Sequence, residues 1–132
     1  MIDLTNLSDS KKLKELGVPQ KSEYYYRVNN GLAIYPVFKD EENRYELVQG
    51  LNLTSHEYII SSFSISEIQL ILPRGYTLQD IGNEFALYYP REFWDQYNND
   101  DESYNKDIIA EKSIDAFSQM LIYLLENNLI NL

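Results

Sequence analysis

The sequence predicts an α+β fold: an antiparallel β-meander sheet, a long C-terminal helix packed on one of its faces, and two short helices. Three observations support this prediction. Residues 22–49 contain β-forming residues around an Asn-Gly pair, residues 106–127 repeat apolar residues at helical spacing, and two shorter stretches carry helix start and stop signals. At 132 residues the chain fits a single domain, residues 1–132.

The first element predicted along the chain is a short helix over residues 8–16. A serine at its start, Ser8 or Ser10, can accept a hydrogen bond from a free backbone amide. Gly17 can adopt the left-handed conformation that ends many helices, and Pro19 cannot continue one.

Three strands are predicted next, over residues 24–28, 32–38 and 44–48. Asn29-Asn30-Gly31 between the first two is typical of a tight hairpin turn, which needs positive φ angles. Because Pro36 has no N–H for a ladder, the second strand is predicted at a sheet edge or with a bulge. Residues 51–63 are ambiguous, with Tyr58–Ile60 as a candidate extended segment.

Ser64 and Glu67 have the spacing of a capping box, which predicts a helix from Ile65 to Leu72 ended by Pro73 and Gly75. A further strand is predicted over residues 83–89.

Residues 91–105 are polar and acidic and are predicted to be irregular, with Trp94 and Tyr97 as anchors. The last helix is predicted from Lys106 to Asn127. Its apolar stripe comprises Ala110, Ile114, Phe117, Leu121 and Leu124, widened by Ile109, Met120 and Leu125.

Composition and charge exclude several classes of function. The absence of cysteine removes disulfides and thiolate chemistry, and with the charged N-terminal thirty residues it favours a cytoplasmic protein that is not exported. The formal charge of −10 disfavours direct binding to nucleic acids and to anionic membranes. The longest apolar run, Met120 to Leu125, is much shorter than the about 20 residues that a membrane span needs.

No catalytic, cofactor or metal site is predicted. His56 is the only histidine, and metal sites generally need several ligands at set spacing. The acidic residues 95–102 alternate partly as in an EF-hand, but the sixth-position glycine is missing and Ile109 stands where a glutamate ligand belongs. The five glycines are scattered, so no phosphate-binding loop is indicated.

Ordinary packing is the first interpretation of the tyrosines, and a solubilising surface that of the acidic stretch. The second interpretation is a surface for binding another protein. The chain has 12 tyrosines, a residue type favoured at protein interfaces. Eight acids and only two lysines lie between Glu92 and Asp115. The predicted interaction surface comprises Tyr24, Tyr26, Trp94, Tyr97, Asp100, Asp101 and Glu102.

Three stretches, residues 13–26, 63–73 and 116–127, resemble a group of small uncharacterised proteins from prophages and mobile elements of gut Bacteroidetes. They include Leu13-Lys-Glu-Leu-Gly-Val-Pro19 and Phe63-Ser-Ile-Ser-Glu-Ile-Gln-Leu-Ile-Leu-Pro73. The start of the last helix, Ile114-Asp-Ala116, matches the alanine-rich pattern of this group only in part. The resemblance implies a cytoplasmic accessory protein and carries no family activity.

The leading functional prediction is therefore a non-enzymatic protein-interaction or accessory module with a protein partner. One alternative is an acidic nucleic-acid mimic that inhibits a host DNA-binding protein, because close carboxylates can imitate phosphates. Another is a hydrolase that uses carboxylates only, which requires a pocket holding two or three acids.

Overall fold

The computed structural model describes residues 3–28, 45–49 and 59–132 of the chain. It confirms the α+β class, because helices occur with antiparallel strands, and the described strands form two three-stranded sheets. The chain divides into two compact units, Met1–Ser64 and Ile65–Leu132, and each contains one sheet. The expectation of one domain over residues 1–132 stays a prediction.

The described helices and strands follow one another along the chain without an internal repeat. In order they are α1 (Leu7–Glu15), β1 (Tyr24–Val28), β2 (Tyr45–Gln49), β3 (Ile59–Ser62), α2 (Ile65–Gln69), β4 (Thr77–Asp80), β5 (Phe85–Tyr88), α3 (Arg91–Asp95), β6 (Ile108–Ala110) and α4 (Ser113–Glu126).

In the first unit, β1 is the central strand and pairs antiparallel with both β2 and β3. Tyr26 lies opposite Leu47 on one side and opposite Ile60 on the other. The strand predicted over 24–28 is confirmed, and the strand predicted over 44–48 is found one residue further along as β2.

The extended segment considered at Tyr58–Ile60 corresponds to β3, which runs from Ile59 to Ser62. All four of its residues are buried. The predicted Asn29-Asn30-Gly31 turn, the strand containing Pro36, and His56 lie outside the described residues.

Helix α1 begins after Asn6, whose side chain accepts a hydrogen bond of 2.7 Å from a backbone amide of the first turn. The predicted serine cap is wrong. Ser8 lies within the helix, and the buried Ser10 hydroxyl bonds to the Thr5 hydroxyl at 2.7 Å. Asparagine caps helices as well as serine does, so the helix starts earlier than predicted. The predicted stop at Gly17 is confirmed, with φ of +90°.

The outer edge of β3 is covered by side chains from the N-terminal part of the same unit. The hydrogen bonds, donor first, run from Lys14 Nζ to the Ile59 carbonyl at 2.8 Å, from the Ser61 amide to Gln20 Oε1 at 2.8 Å, and from the Phe63 amide to Thr5 Oγ1 at 2.9 Å. Because these bonds satisfy outward backbone groups, this edge cannot easily pair with another strand.

In the second unit, β4, β5 and β6 pair antiparallel in chain order. The meander was predicted for the three strands over residues 24–48 instead, and the middle one of these lies outside the described residues. Leu87 of the central strand is fully buried and lies opposite Leu78 and Ile108. The strand predicted over 83–89 is confirmed as β5. Strand β4 was not predicted, and a turn containing Gly82, with φ of +107°, joins it to β5.

Helix α2 begins at Ile65, as the capping box predicts, but ends at Gln69 rather than at Leu72. The chain leaves it in a turn, where the amides of Ile71 and Leu72 both donate to the Ile68 carbonyl.

The C-terminal helix α4 packs against β5 and β6, as predicted. Its buried side chains include the predicted Ile114, Phe117, Met120, Leu121, Leu124 and Leu125. The predicted start at Lys106 is wrong, because residues 108–110 form β6. Ile109 is 54% exposed while its two neighbours are buried, which is the alternation of a strand.

Candidate functional site

The structure places the predicted interaction residues in two groups, one in each unit. Tyr24 and Tyr26 lie on β1 in the first unit. The other five belong to the second unit, on α3 or in the segment that follows it: Trp94, Tyr97, Asp100, Asp101 and Glu102.

The tyrosines of β1 are half-buried and take part in packing. The Tyr26 hydroxyl donates to the Thr5 carbonyl at 3.0 Å, which joins β1 to the segment before α1. The Tyr24 carbonyl accepts a 2.6 Å hydrogen bond from the Ser22 hydroxyl. The Tyr26 hydroxyl therefore forms a hydrogen bond within the first unit.

Trp94 must be corrected, because it is only 2% exposed and cannot be part of an interaction surface. Three aromatic rings meet the indole nearly edge-on, those of Phe93, Tyr89 and Tyr123, at centroid distances of 5.0, 5.9 and 6.2 Å. Edge-to-face contacts of this kind stabilise packed aromatic groups. Trp94 is therefore a core anchor, as the sequence also indicated.

The rings of Tyr89, Phe93, Trp94 and Tyr123 form what we call the aromatic cluster, and Tyr97 extends it toward solvent. Its half-buried ring lies 5.4 Å from the ring of Phe93, which stacks on Tyr89 at 3.8 Å. The Tyr89 hydroxyl donates to the Pro73 carbonyl at 2.7 Å. Burial raises the pKa of this hydroxyl above its ordinary value, and Tyr76 and Tyr97 act in the same direction.

The predicted acids lie on a tight turn, residues 98–105, which we call the acidic turn. Asn99 organises its tip, because its Oδ1 accepts hydrogen bonds from the amides of Asp101 and Glu102 at 3.0 and 2.9 Å. The backbones of Asn99 and Glu102 also pair in both directions at 3.3 Å. Such bonds from an asparagine to amides two and three residues on fix the backbone of a turn.

Asn98 closes the base of the acidic turn. Its Oδ1 accepts from the Tyr104 amide, and its Nδ2 donates to Asn105 Oδ1, both at 2.6 Å. Asn98 and Asn99 together therefore hold the segment that carries Asp100, Asp101 and Glu102, and all three acids are exposed.

Two tyrosines connect the acidic turn to the aromatic cluster. The Tyr104 hydroxyl donates to Glu102 Oε2 at 2.5 Å, and this bond raises the pKa of the Tyr104 hydroxyl. The Tyr123 hydroxyl donates to the Tyr104 carbonyl at 2.8 Å, and the Tyr123 ring contacts Trp94. Burial raises the pKa of Tyr123, and the Lys106 ammonium group lies 4.8 Å from its ring centre.

Four residues of this arrangement were missed from the sequence: Asn98, Asn99, Tyr104 and Tyr123. The signal for the first two was available, because asparagines that precede acids in a polar segment are typical turn formers. Nothing in the local pattern indicates that Tyr123 reaches Tyr104, since the two residues are 19 positions apart.

Within the described ranges, no group of three or more histidine, cysteine, aspartate or glutamate side chains is arranged to hold a metal ion. No helix in these same ranges has the length and apolar character needed to cross a membrane.

Comparisons of the chain with protein-family models, with curated proteins and with solved structures give no match. The resemblance to prophage and mobile-element proteins thus stays a prediction.

Proposed function

We propose that the protein is a non-enzymatic interaction module that presents the acidic turn to a basic surface of a protein partner. The observation that carries the proposal is the fixed geometry of the turn. Asp100, Asp101 and Glu102 are exposed, yet Asn98 and Asn99 hold the backbone beneath them through side-chain hydrogen bonds.

Fixed geometry matters because binding costs free energy when flexible groups must be ordered. The Asn99 bonds already order the backbone amides of Asp101 and Glu102, and the hydrogen bond from Tyr104 restrains the Glu102 carboxylate. A partner that binds these carboxylates therefore has less disorder to remove.

The charge of the second unit supports a basic partner. Residues Ile65–Leu132 include twelve acids and four basic residues, a formal charge of −8 out of −10 for the whole chain. A field of one sign accelerates encounter with an oppositely charged protein and disfavours acidic ones. The proposal needs only three carboxylates on one turn, whereas a nucleic-acid mimic needs a longer array.

The test compares two variants of equal charge. The turn variant is Asp100→Asn, Asp101→Asn and Glu102→Gln. The control variant neutralises three other exposed acids: Asp3→Asn, Glu84→Gln and Glu111→Gln. Both variants have a formal charge of −7.

Proteins retained from a lysate of the source cells are quantified on immobilised wild type and on both variants. We expect at least one protein to be retained by the wild type and the control but reduced tenfold or more by the turn variant. Equal retention of every captured protein by the two variants would overturn the proposal.

A second substitution separates shape from charge. Asn99→Ala keeps all three acids but removes the acceptor that orders the turn, so we expect weaker retention of the same protein. Unchanged retention would show that the ordered geometry of the turn is irrelevant to binding.

A further inference from the structure

The second unit has an open sheet edge at β4. The Ile81 amide donates to the Glu84 carbonyl at 2.9 Å, so these two residues form a hydrogen-bonded pair between β4 and β5. Asp80, which precedes Ile81, lies opposite Phe85. Along an antiparallel pair, hydrogen-bonded residue pairs alternate with pairs whose N–H and C=O groups point away from the neighbouring strand. Leu78 and Asp80 therefore direct their N–H and C=O groups away from β5.

Nothing in Ile65–Leu132, all of which is described, pairs with these outward groups. Every residue of β4 is exposed. The edge at β3 in the other unit is different, because Lys14, Gln20 and Thr5 bond to its outward backbone groups. Described residues of the first unit therefore cover the edge at β3, whereas no residue of Ile65–Leu132 covers the edge at β4.

β4 has a single charged side chain, Asp80, to protect its edge. Proteins often blunt an exposed edge with lysine or proline, and β4 has neither residue in Thr77–Asp80. Instead, it presents Leu78, which is 38% exposed, and the following Ile81 is 46% exposed. Leu78 and Asp80 share one face of the strand, since they are two residues apart.

We propose that β4 docks an extended, basic segment of a protein partner, which adds a fourth, antiparallel strand to the sheet. Unpaired backbone groups recognise an extended backbone, and alternate side chains supply specificity. The charge of −8 on the unit selects a basic segment and opposes pairing between two copies of this chain.

The register of an added strand predicts what it recognises. A residue opposite Asp80 on the same face pairs best with Lys or Arg, and the residue opposite Leu78 with an apolar side chain. In an antiparallel partner these two residues are two positions apart, with the basic one first. The predicted motif is therefore a basic residue, any residue, then an apolar residue.

The first test measures hydrogen exchange of the protein's amides by NMR, with and without a capped eight-residue peptide. The peptide contains two copies of the sequence Thr-Lys-Val-Leu. We expect the amides of Leu78 and Asp80 to exchange rapidly in the free protein and at least tenfold more slowly with peptide. The Gln79 amide, which faces β5, should be protected throughout. Protection of Leu78 and Asp80 in the free protein, or no added protection by the peptide, would overturn the proposal.

The second test changes the outward donor. Leu78→Pro removes an N–H that β5 does not use, whereas Leu78→Ala keeps it and removes only the larger side chain. We expect the proline variant to weaken peptide binding at least tenfold and the alanine variant about threefold. Equal weakening by the two variants, with both folded by circular dichroism, would exclude strand addition.

A peptide with Glu in place of Lys completes the comparison. The proposal predicts at least tenfold weaker binding of this peptide at low salt. Equal binding of the two peptides would overturn the inference that the occupant is basic.

Discussion

Thr5 is fully buried, and its hydroxyl and carbonyl together join three elements of the first unit. Its Oγ1 accepts from the Phe63 amide at 2.9 Å, and its carbonyl accepts from the hydroxyls of Tyr26 and Ser62 at 3.0 and 2.9 Å. In a buried network, removing one partner leaves another group without a hydrogen bond, which costs more than the bond itself contributes.

We therefore predict that Thr5→Val destabilises the protein by about 1–3 kcal/mol, because it leaves the Phe63 amide without its acceptor. Urea unfolding followed by circular dichroism measures the change. Thr77→Val, at an exposed strand position, is the control and should change the free energy of unfolding by less than about 0.5 kcal/mol. Equal effects of the two substitutions would contradict the role assigned to Thr5.

The burial of a single residue could be predicted from the sequence where its side chain favours only one environment. Trp94 was expected as an anchor and is buried, but the same large side chain could not also serve the predicted surface. The roles of Thr5 and Asn99 were not predictable, because a hydroxyl or an amide acquires its role from the donors that the fold brings to it.

At the scale of elements, α1 shows how a helix boundary depends on one side chain. Asn6 accepts from the Asp9 amide, whereas Ser8 lies inside the first turn. Both residue types favour helix N-caps, so composition alone does not choose between them.

Asn6→Ala should lower the free energy of unfolding by about 1 kcal/mol, the usual cost of removing an N-cap. Ser8→Ala is the matched control and should have little effect, since this position does not cap the helix. Urea unfolding curves of the two variants decide the point. A larger loss for Ser8→Ala would place the helix start where the sequence alone suggested.

Tertiary pairing explains which elements the sequence missed. Ile109 and Ala110 fit the apolar spacing of the last helix, yet Ala86 and Phe85 of β5 lie opposite them as strand partners. The exposed strand β4 has too little apolar alternation to be recognised from its own residues. Helix α4 was recognisable because seven of its apolar residues are buried, at the spacing expected of a helix.

At the scale of the whole molecule, the negative charge is distributed unequally. The first unit has a formal charge of −2 and the second one of −8. Repulsion among like charges opposes the compact state, and dissolved salt screens it.

We predict that salt stabilises the second unit. Trp94, the only tryptophan, is buried there, so its fluorescence reports unfolding of that unit. The gain between 0.01 and 1 M NaCl should be on the order of 1 kcal/mol, the scale of one close charge pair in water. In the turn variant, with three acids neutralised, salt should raise the free energy of unfolding by less. No gain, or an equal gain in the variant, would contradict the prediction.

The open edge of β4 also affects how the purified protein behaves when no partner is present. Near the sequence pI of about 4.4, mutual repulsion between molecules disappears, while the outward backbone groups of Leu78 and Asp80 have no partner within Ile65–Leu132. We therefore expect acidified solutions to favour edge-to-edge association that begins at Thr77–Asp80. Handling the protein well above that pH keeps its colloidal stability.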